Sequence, residues 1–399
     1  MFPGSIYVAI PAMDELQDLP QTLDDLARQE GCNTFEIFVC VNQPEAYWGL
    51  PDKCVICEHN QQLLKLLETF DGVRLHVLDC ASRGRGWQGK KFGVGWARKT
   101  LFDHILTFAD DRDIIISLDA DTRVRPHYVQ SVADNMHRHP EVPAVSVPYY
   151  HPLTGNEAQD RAILRYEMYM RNYAVNLYKI GSPYSFTAVG SAIAMRAGAL
   201  RKIGGITPVK SGEDFYLMQK FVKMAPISNY NDEMVYPAAR LSDRVFFGTG
   251  PAIIKGCRGE WDSYPVYHHS LFDSIAQTYQ LLPQLYENDV QTDFLDFLQK
   301  QFNDTHLWQS IRQNVKDYGH FVHAFHEKAD GLRILQYLRQ KHKDSPMTDE
   351  DALAQNLAAW LPDEQLPNLS SSFDNLTVDD LNSLRDQLFE IESSLRRLI

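Results

Sequence analysis

The chain has 399 residues, 44% hydrophobic and 23% charged, an ordinary globular balance in a chain long enough for two domains. With 39 basic against 52 acidic residues the net charge is −13, which excludes nucleic-acid binding through a broadly basic surface. No apolar run reaches the ~20 residues needed to cross a bilayer. The N-terminus lacks the basic and apolar regions of a secretory signal, so a cytoplasmic setting is expected.

Ser5–Pro11, SIYVAIP, is a β-rich run stopped by proline and predicts a buried first strand. Pro20 suits a first helical position, Leu19, Leu23 and Leu26 share one face, and Gly31 ends that helix. Phe35–Val41 is a second strand; strand, helix and strand at this spacing imply a parallel pair. Residues 44–60 read as irregular, 61–70 as a short helix and 73–78 as a third strand. Cys54 and Cys57 have half the spacing of a zinc site, without the ligands to complete it. The six cysteines are scattered, as in a reducing compartment.

From Ser82 to Gly95 runs a glycine-rich loop whose Arg83, Arg85, Lys90 and Lys91 stand out in an acidic chain. Such loops approach phosphates with backbone amides and cations, although the G-K-[ST] signature of a P-loop is absent. A helix over 96–108 leads to a fourth strand, 113–118, which ends at Asp119-Ala120-Asp121. Two carboxylates delivered to the end of a buried strand can hold a hard divalent cation, Mg²⁺ or Mn²⁺. Pro126 opens a helix to about 139, a strand covers 144–148, and Glu157–Lys179 is a long amphipathic helix. Residues 187–206 read as a small-residue strand and a short helix ending at Gly204-Gly205. Glu213-Asp214 opens another helix, where the dipole favours acidic residues whatever their further role. Residues 234–250 read as an irregular basic stretch with Arg240 and Arg244. Beyond about 270 glycine becomes rare and the sequence reads as polar amphipathic helices. The last carries Leu381, Leu384, Leu388, Ile391, Leu395 and Leu398 at alternating spacings of three and four. Docking of this seam on its own chain is favoured, with pairing of two copies as the alternative. Arg385, Arg396 and Arg397 beside it would support a membrane contact that is at most peripheral.

Taken together, residues 5–250 resemble the family 2 glycosyltransferases of the GT-A fold. The resemblance rests on Ile10-Pro11-Ala12-Met13-Asp14-Glu15, on Asp119-Ala120-Asp121 as the D-x-D motif, on Gly190–Arg196 followed by Ile203-Gly204-Gly205, and on Gly212-Glu213-Asp214 as the late E-D motif. It implies an α/β fold, a mostly parallel sheet flanked by helices, with a GT-A domain over 1–265 and a helical C-terminal region over 266–399. It implies an inverting, metal-dependent transfer of a sugar from a nucleoside diphosphate donor to a glycan, lipid or small-molecule hydroxyl. In that scheme Asp121, helped by Asp119, holds Mn²⁺ or Mg²⁺, with His268 as a third candidate ligand. Asp214 is the general base and Glu213 positions the acceptor. Arg83, Lys90, Arg240 and Arg244 are candidates for the diphosphate, and Pro11, Asp14, Glu15 and Asn42 lie toward the nucleoside. The competing expectations are a retaining transferase, which needs no base at Asp214, and a non-catalytic sugar-nucleotide or glycan binder on the same fold. A haloacid-dehalogenase-type phosphatase fits less well, because its D-x-D normally follows the first strand.

Overall fold

The computed structural model describes residues 4–32, 34–209, 212–241, 248–344, 347–362 and 372–397. Contacts divide the chain into two units: Met1–Ile163 with Thr187–Arg258, and Leu164–Phe186 with Gly259–Ile399.

The first unit is built on strands β1 (Ile6–Ala12), β2 (Phe35–Asn42), β3 (Leu75–Cys80), β4 (Ile114–Ser117), β5 (Thr122–Val124), β6 (Ala144–Ser146), β7 (Ile193–Arg196), β8 (Ser228–Asn229) and β9 (Val235–Pro237). Seven of them form one sheet in the order β3-β2-β1-β4-β7-β6-β8, and β5 pairs with β9 separately. β1 is parallel to β2 and β4, β2 to β3, and β6 to β8; β7 alone runs against its neighbours β4 and β6. All of β1 and β4 is buried, as expected of central strands covered on both faces. The α/β fold with a mostly parallel sheet is thus as expected.

Its helices are α1 (Leu19–Ala27), α2 (Cys54–Glu68), α3 (Val94–Ile105), α4 (Tyr128–Arg138), the start of α5 (Glu157–Lys179), α6 (Ala197–Lys202), α7 (Glu213–Met224) and α8 (Thr249–Gly256). Two stretches expected to be irregular are partly regular: α2 begins at Cys54, and β9 lies within 234–250, where α8 also begins at Thr249. α2 buries Cys57, Asn60, Leu63 and Leu67, a helical stripe interrupted by one amide.

The second unit takes α5 from Leu164 onward and adds α9 (Asp273–Gln280), α10 (Leu282–Glu287), α11 (Asp293–Phe302), α12 (Leu307–Asn314), α13 (Tyr318–Lys328), α14 (Gly331–Asp344), α15 (Asp349–Trp360) and α16 (Val378–Arg396). The helical C-terminal region is as expected. α16 starts in a capping box between Thr377 and Asp380. Its Leu381, Leu384 and Leu388 enter a buried cluster with Leu164, Met168, Val266, Leu353, Leu357 and Phe373, so the seam packs within its own unit; Leu398 lies outside the described residues. Beside that cluster Arg171 pairs with Glu167 at 2.7 Å and Glu392 at 2.8 Å, and all three side chains are at most 3% exposed. No helix among the described residues is long and apolar enough to cross a membrane.

Candidate functional site

The turn Leu118–Thr122 leaves β4 at the centre of the sheet, and three elements hold it. The Leu118 N–H donates to the Ala9 carbonyl of β1 at 3.1 Å, and the Ala238 N–H beyond β9 donates to the Asp121 carbonyl at 3.2 Å. From α1, the buried Thr22 hydroxyl lies 2.9 Å from the Ala120 carbonyl oxygen and 3.1 Å from that of Thr122. The backbone carrying Asp119 and Asp121 is therefore fixed from both sides.

Arg98 of α3 joins this turn to the late acidic motif. It lies in line with Leu101, Phe102 and Ile105 on the buried stripe of α3. Its guanidinium donates to Asp119 Oδ1 and Glu213 Oε1, while its Nε donates to the Ser117 hydroxyl at 3.2 Å. Burial alone would favour loss of its proton; Asp119, Glu213 and Asp214 outweigh that and push its proton affinity above the ordinary arginine value. Gly190 makes room for the group: a Cβ there would stand 2.6 Å from Arg98 Cζ. The Gly190 carbonyl in turn accepts from the Ser117 hydroxyl at 2.8 Å. Gly212 turns the chain into α7 with φ of +77°, a left-handed conformation that suits glycine. It delivers Glu213, buried, and Asp214 next to it. Burial, then the negative neighbour Glu213, push the Asp214 carboxyl up to about 7, against the pull of Arg98 and of the Phe215 N–H; Asp119 adds to the rise.

Asp121 belongs to a second cluster. Arg240 donates from Nε to Asp121 Oδ2 at 2.7 Å, from Nη1 to Asp18 at 2.8 Å and from Nη2 to the Glu15 carboxylate at 2.5 and 2.7 Å. Glu15 is almost fully buried, and Asp18 is one residue ahead of α1.

Toward the end of β2, the Asn42 side-chain amide donates to the Ala12 and Cys40 carbonyls. Asp14, with φ of +62°, donates its N–H to Asn60 Oδ1, and its carboxylate oxygen lies 2.7 Å from His59 Nδ1. Pro11 is buried in β1 opposite Cys40. Arg83 lies over the Trp48 ring at 4.5 Å, and Lys90 is exposed in the same loop. Glu45, just after β2, accepts the Gly84 and Gly86 N–H groups at 2.9 Å each, which pins the loop to that segment. His268 belongs to the second unit, where its Nδ1 lies 2.7 Å from the Ser270 hydroxyl and its ring stands beside His269. Arg244 lies outside the described residues. Arg98, Thr22, Asp18, His59 and Asn60 were not singled out from the sequence, and Gly190 was named only as the start of a motif. For Arg98 a signal existed: an arginine on an otherwise apolar helical stripe.

The donor set suits a hard divalent cation. Asp119 and Asp121 offer carboxylate oxygens at one strand end. Among the described residues the two clusters set Asp119, Glu213, Asp214, Glu15, Asp18 and Asp121 against the guanidiniums of Arg98 and Arg240. No group of three or more His, Cys, Asp or Glu among the described residues forms a complete cage. Mg²⁺-type ions do not require one, since one or two carboxylates and substrate phosphates commonly suffice.

Residues 114–242, from β4 through β9 to the residues just after Arg240, match the family described as Glycosyl transferase family group 2. Over this stretch the chain is similar to that family. No curated protein matches the sequence. Among solved structures it is similar to S. aureus TarS, at 14% identity over 71% of this chain and a TM-score of 0.39; the chain spans 47% of that TarS chain. It is similar to TarS 1–349 in complex with UDP-GlcNAc, at 13% identity, 98% of this chain, 90% of that one and a TM-score of 0.39. A mannosyltransferase, PcManGT from Pyrobaculum calidifontis in complex with GDP-Man and Mn²⁺, gives 13% identity, 98% and 86% coverage and a TM-score of 0.39.

Proposed function

We propose that this protein is a glycosyltransferase that moves a sugar from a nucleoside diphosphate donor to an acceptor hydroxyl with inversion, aided by Mn²⁺ or Mg²⁺, in a domain of residues 1–265 that precedes a helical region of 266–399. The observation that carries the reading is the guanidinium of Arg98. It bonds Asp119 of the D-A-D turn and Glu213 of the late acidic pair at once, so the two motifs serve one site.

Asp214 takes the acceptor's proton as the hydroxyl oxygen attacks the anomeric carbon, and the bond from that carbon to the diphosphate breaks with its electron pair leaving on the nucleotide. A carboxyl raised to about 7 is suited to this, because a base works best with a pKa near the working pH. Arg98 keeps Glu213 in place beside it for the acceptor. Asp121, with Asp119, would hold the cation, which supplies Lewis-acid stabilisation of the departing diphosphate. Arg83, Lys90, Arg240 and Arg244 supply cationic donors for the diphosphate oxygens. Pro11, Asp14, Glu15 and Asn42, after the first two strands, form the nucleoside end.

A panel of UDP-, GDP- and dTDP-sugars with and without Mn²⁺ tests this. The true donor raises the melting temperature, since ligand at about 100 times its Kd stabilises by ~2.7 kcal/mol. The Mn²⁺-dependent part of that shift should be lost in Asp121→Ala. A shift indifferent to Mn²⁺ overturns the metal assignment. A product with retained anomeric configuration overturns the role of Asp214.

A further inference from the structure

Arg240 sets one guanidinium against three carboxylates from two parts of the chain. Glu15 and Asp18 lie just ahead of α1, and Asp121 belongs to the turn after β4. The arginine sits on the carboxylate that the proposed function gives to the cation. A guanidinium and a divalent ion on one carboxylate repel each other strongly where water is partly excluded, and the Asp121 side chain is 18% exposed. The two are alternatives for Asp121. Burial would favour loss of the Arg240 proton; Asp121, Glu15 and Asp18 outweigh it, so the group is always a cation.

We propose that Arg240 is an exchangeable internal counter-ion: it neutralises Asp121 until a divalent cation takes that carboxylate. This rests on the assignment of the cation to Asp121. Exchange breaks one of the three links, while Glu15 and Asp18 keep the guanidinium charged and close by. Arrival of the cation thus leaves a second positive charge beside the site for the diphosphate, whereas without Arg240 the carboxylates of Glu15, Asp18 and Asp121 would lose the counter-charge they share. Arg240 is in this sense a positioning residue. It sets cation affinity through Asp121.

The test is Mn²⁺ binding to the full chain without nucleotide, read by the electron paramagnetic resonance signal of free Mn²⁺. Arg240→Gln removes the competing charge and should tighten Mn²⁺ binding by about tenfold or more, which corresponds to ~1.4 kcal/mol. Arg240→Lys keeps one charge but lacks the fork that reaches three carboxylates, and should give a smaller increase; it decides the matter if the glutamine variant does not fold. Asp121→Asn should weaken Mn²⁺ binding in both the unsubstituted and the Arg240→Gln chains. Mn²⁺ bound no more tightly in the folded Arg240 variants, with Asp121→Asn still weakening it, overturns the exchange and leaves the cation assignment standing. No effect of Asp121→Asn in either chain overturns the cation assignment, and the exchange with it.

Discussion

Replacing Asp214 by asparagine removes one proton-accepting oxygen and leaves size and shape nearly unchanged. Two effects follow from the environment of that carboxyl. Without the base, kcat should fall by about 10²–10⁴-fold, the usual contribution of a positioned general base. In the unsubstituted enzyme the rate should rise with pH through about 7, and at pH 6 it should run at roughly a tenth of its plateau. Stability moves the other way. The folded-state carboxyl lies above its ordinary value of 3.8, so the folded chain holds a proton that the unfolded chain releases. That stabilisation is complete below pH ~4 and is lost as pH rises through about 7. At ~1.4 kcal/mol per pH unit the ionised group costs the fold on the order of 4 kcal/mol. Asparagine stays neutral, so the variant should gain on the unsubstituted chain as pH rises from 5 to 8. Melting curves at several pH values, beside a pH–rate profile, measure both. A stability difference that does not change with pH refutes the claim that Asp214 titrates near 7. Unchanged turnover refutes the claim that it is the base.

Three further outcomes follow. Arg98→Met leaves Asp119 and Glu213 facing each other without their guanidinium; it should cost about 3–5 kcal/mol in denaturant unfolding. It should also move the rising limb of the pH profile above its unsubstituted position, because Arg98 holds the Asp214 carboxyl down. Gly190→Ala drives a methyl group into Arg98, and a loss of about 1–3 kcal/mol by thermal unfolding together with reduced activity is expected; full activity would mean that Arg98 can be displaced at no cost. Arg171→Met leaves Glu167 and Glu392 without the guanidinium that bridges them, and should destabilise by about 3–5 kcal/mol, measured by equilibrium unfolding.

The parts of the fold that were legible in the sequence are those where one residue class fills an element. The central strands are continuous apolar runs, and the helix Glu157–Lys179 has the same bounds in sequence and structure. Elements whose buried face includes a polar group were hidden. α2 carries Asn60 on its buried stripe, where it bonds Gln43 at 2.8 Å and the Asp14 N–H at 2.9 Å, so its first turns read as loop. β5 and β9 are three residues each, too short for a period to register. In the candidate site, Glu15, Asp119, Asp121, Glu213 and Asp214 could be named because they sit in motifs at element ends. The arginines that organise them could not be ranked: Arg240 was one cation among several, and Arg98 lay inside a helix in which no residue stood out. Which carboxylate a guanidinium reaches depends on chain crossings of 115 residues for Arg98 with Glu213 and 225 for Arg240 with Glu15, and no local pattern encodes them.

The second unit is discontinuous. The chain contributes Leu164–Phe186 to it, returns to the first unit at Thr187, and comes back only at Gly259. A chain cut after residue 258 would keep every residue of the first unit. It would also strand Leu164 and Met168 without the leucines of α15 and α16, and Arg171 without Glu392. Such a fragment would present an apolar stripe to water and aggregate rather than serve as a minimal enzyme. The same holds during synthesis: residues 164–186 leave the ribosome about 200 residues ahead of their α16 partners at 381–392, roughly 10–40 s at ordinary translation rates. Through that interval the stripe must be shielded by other means.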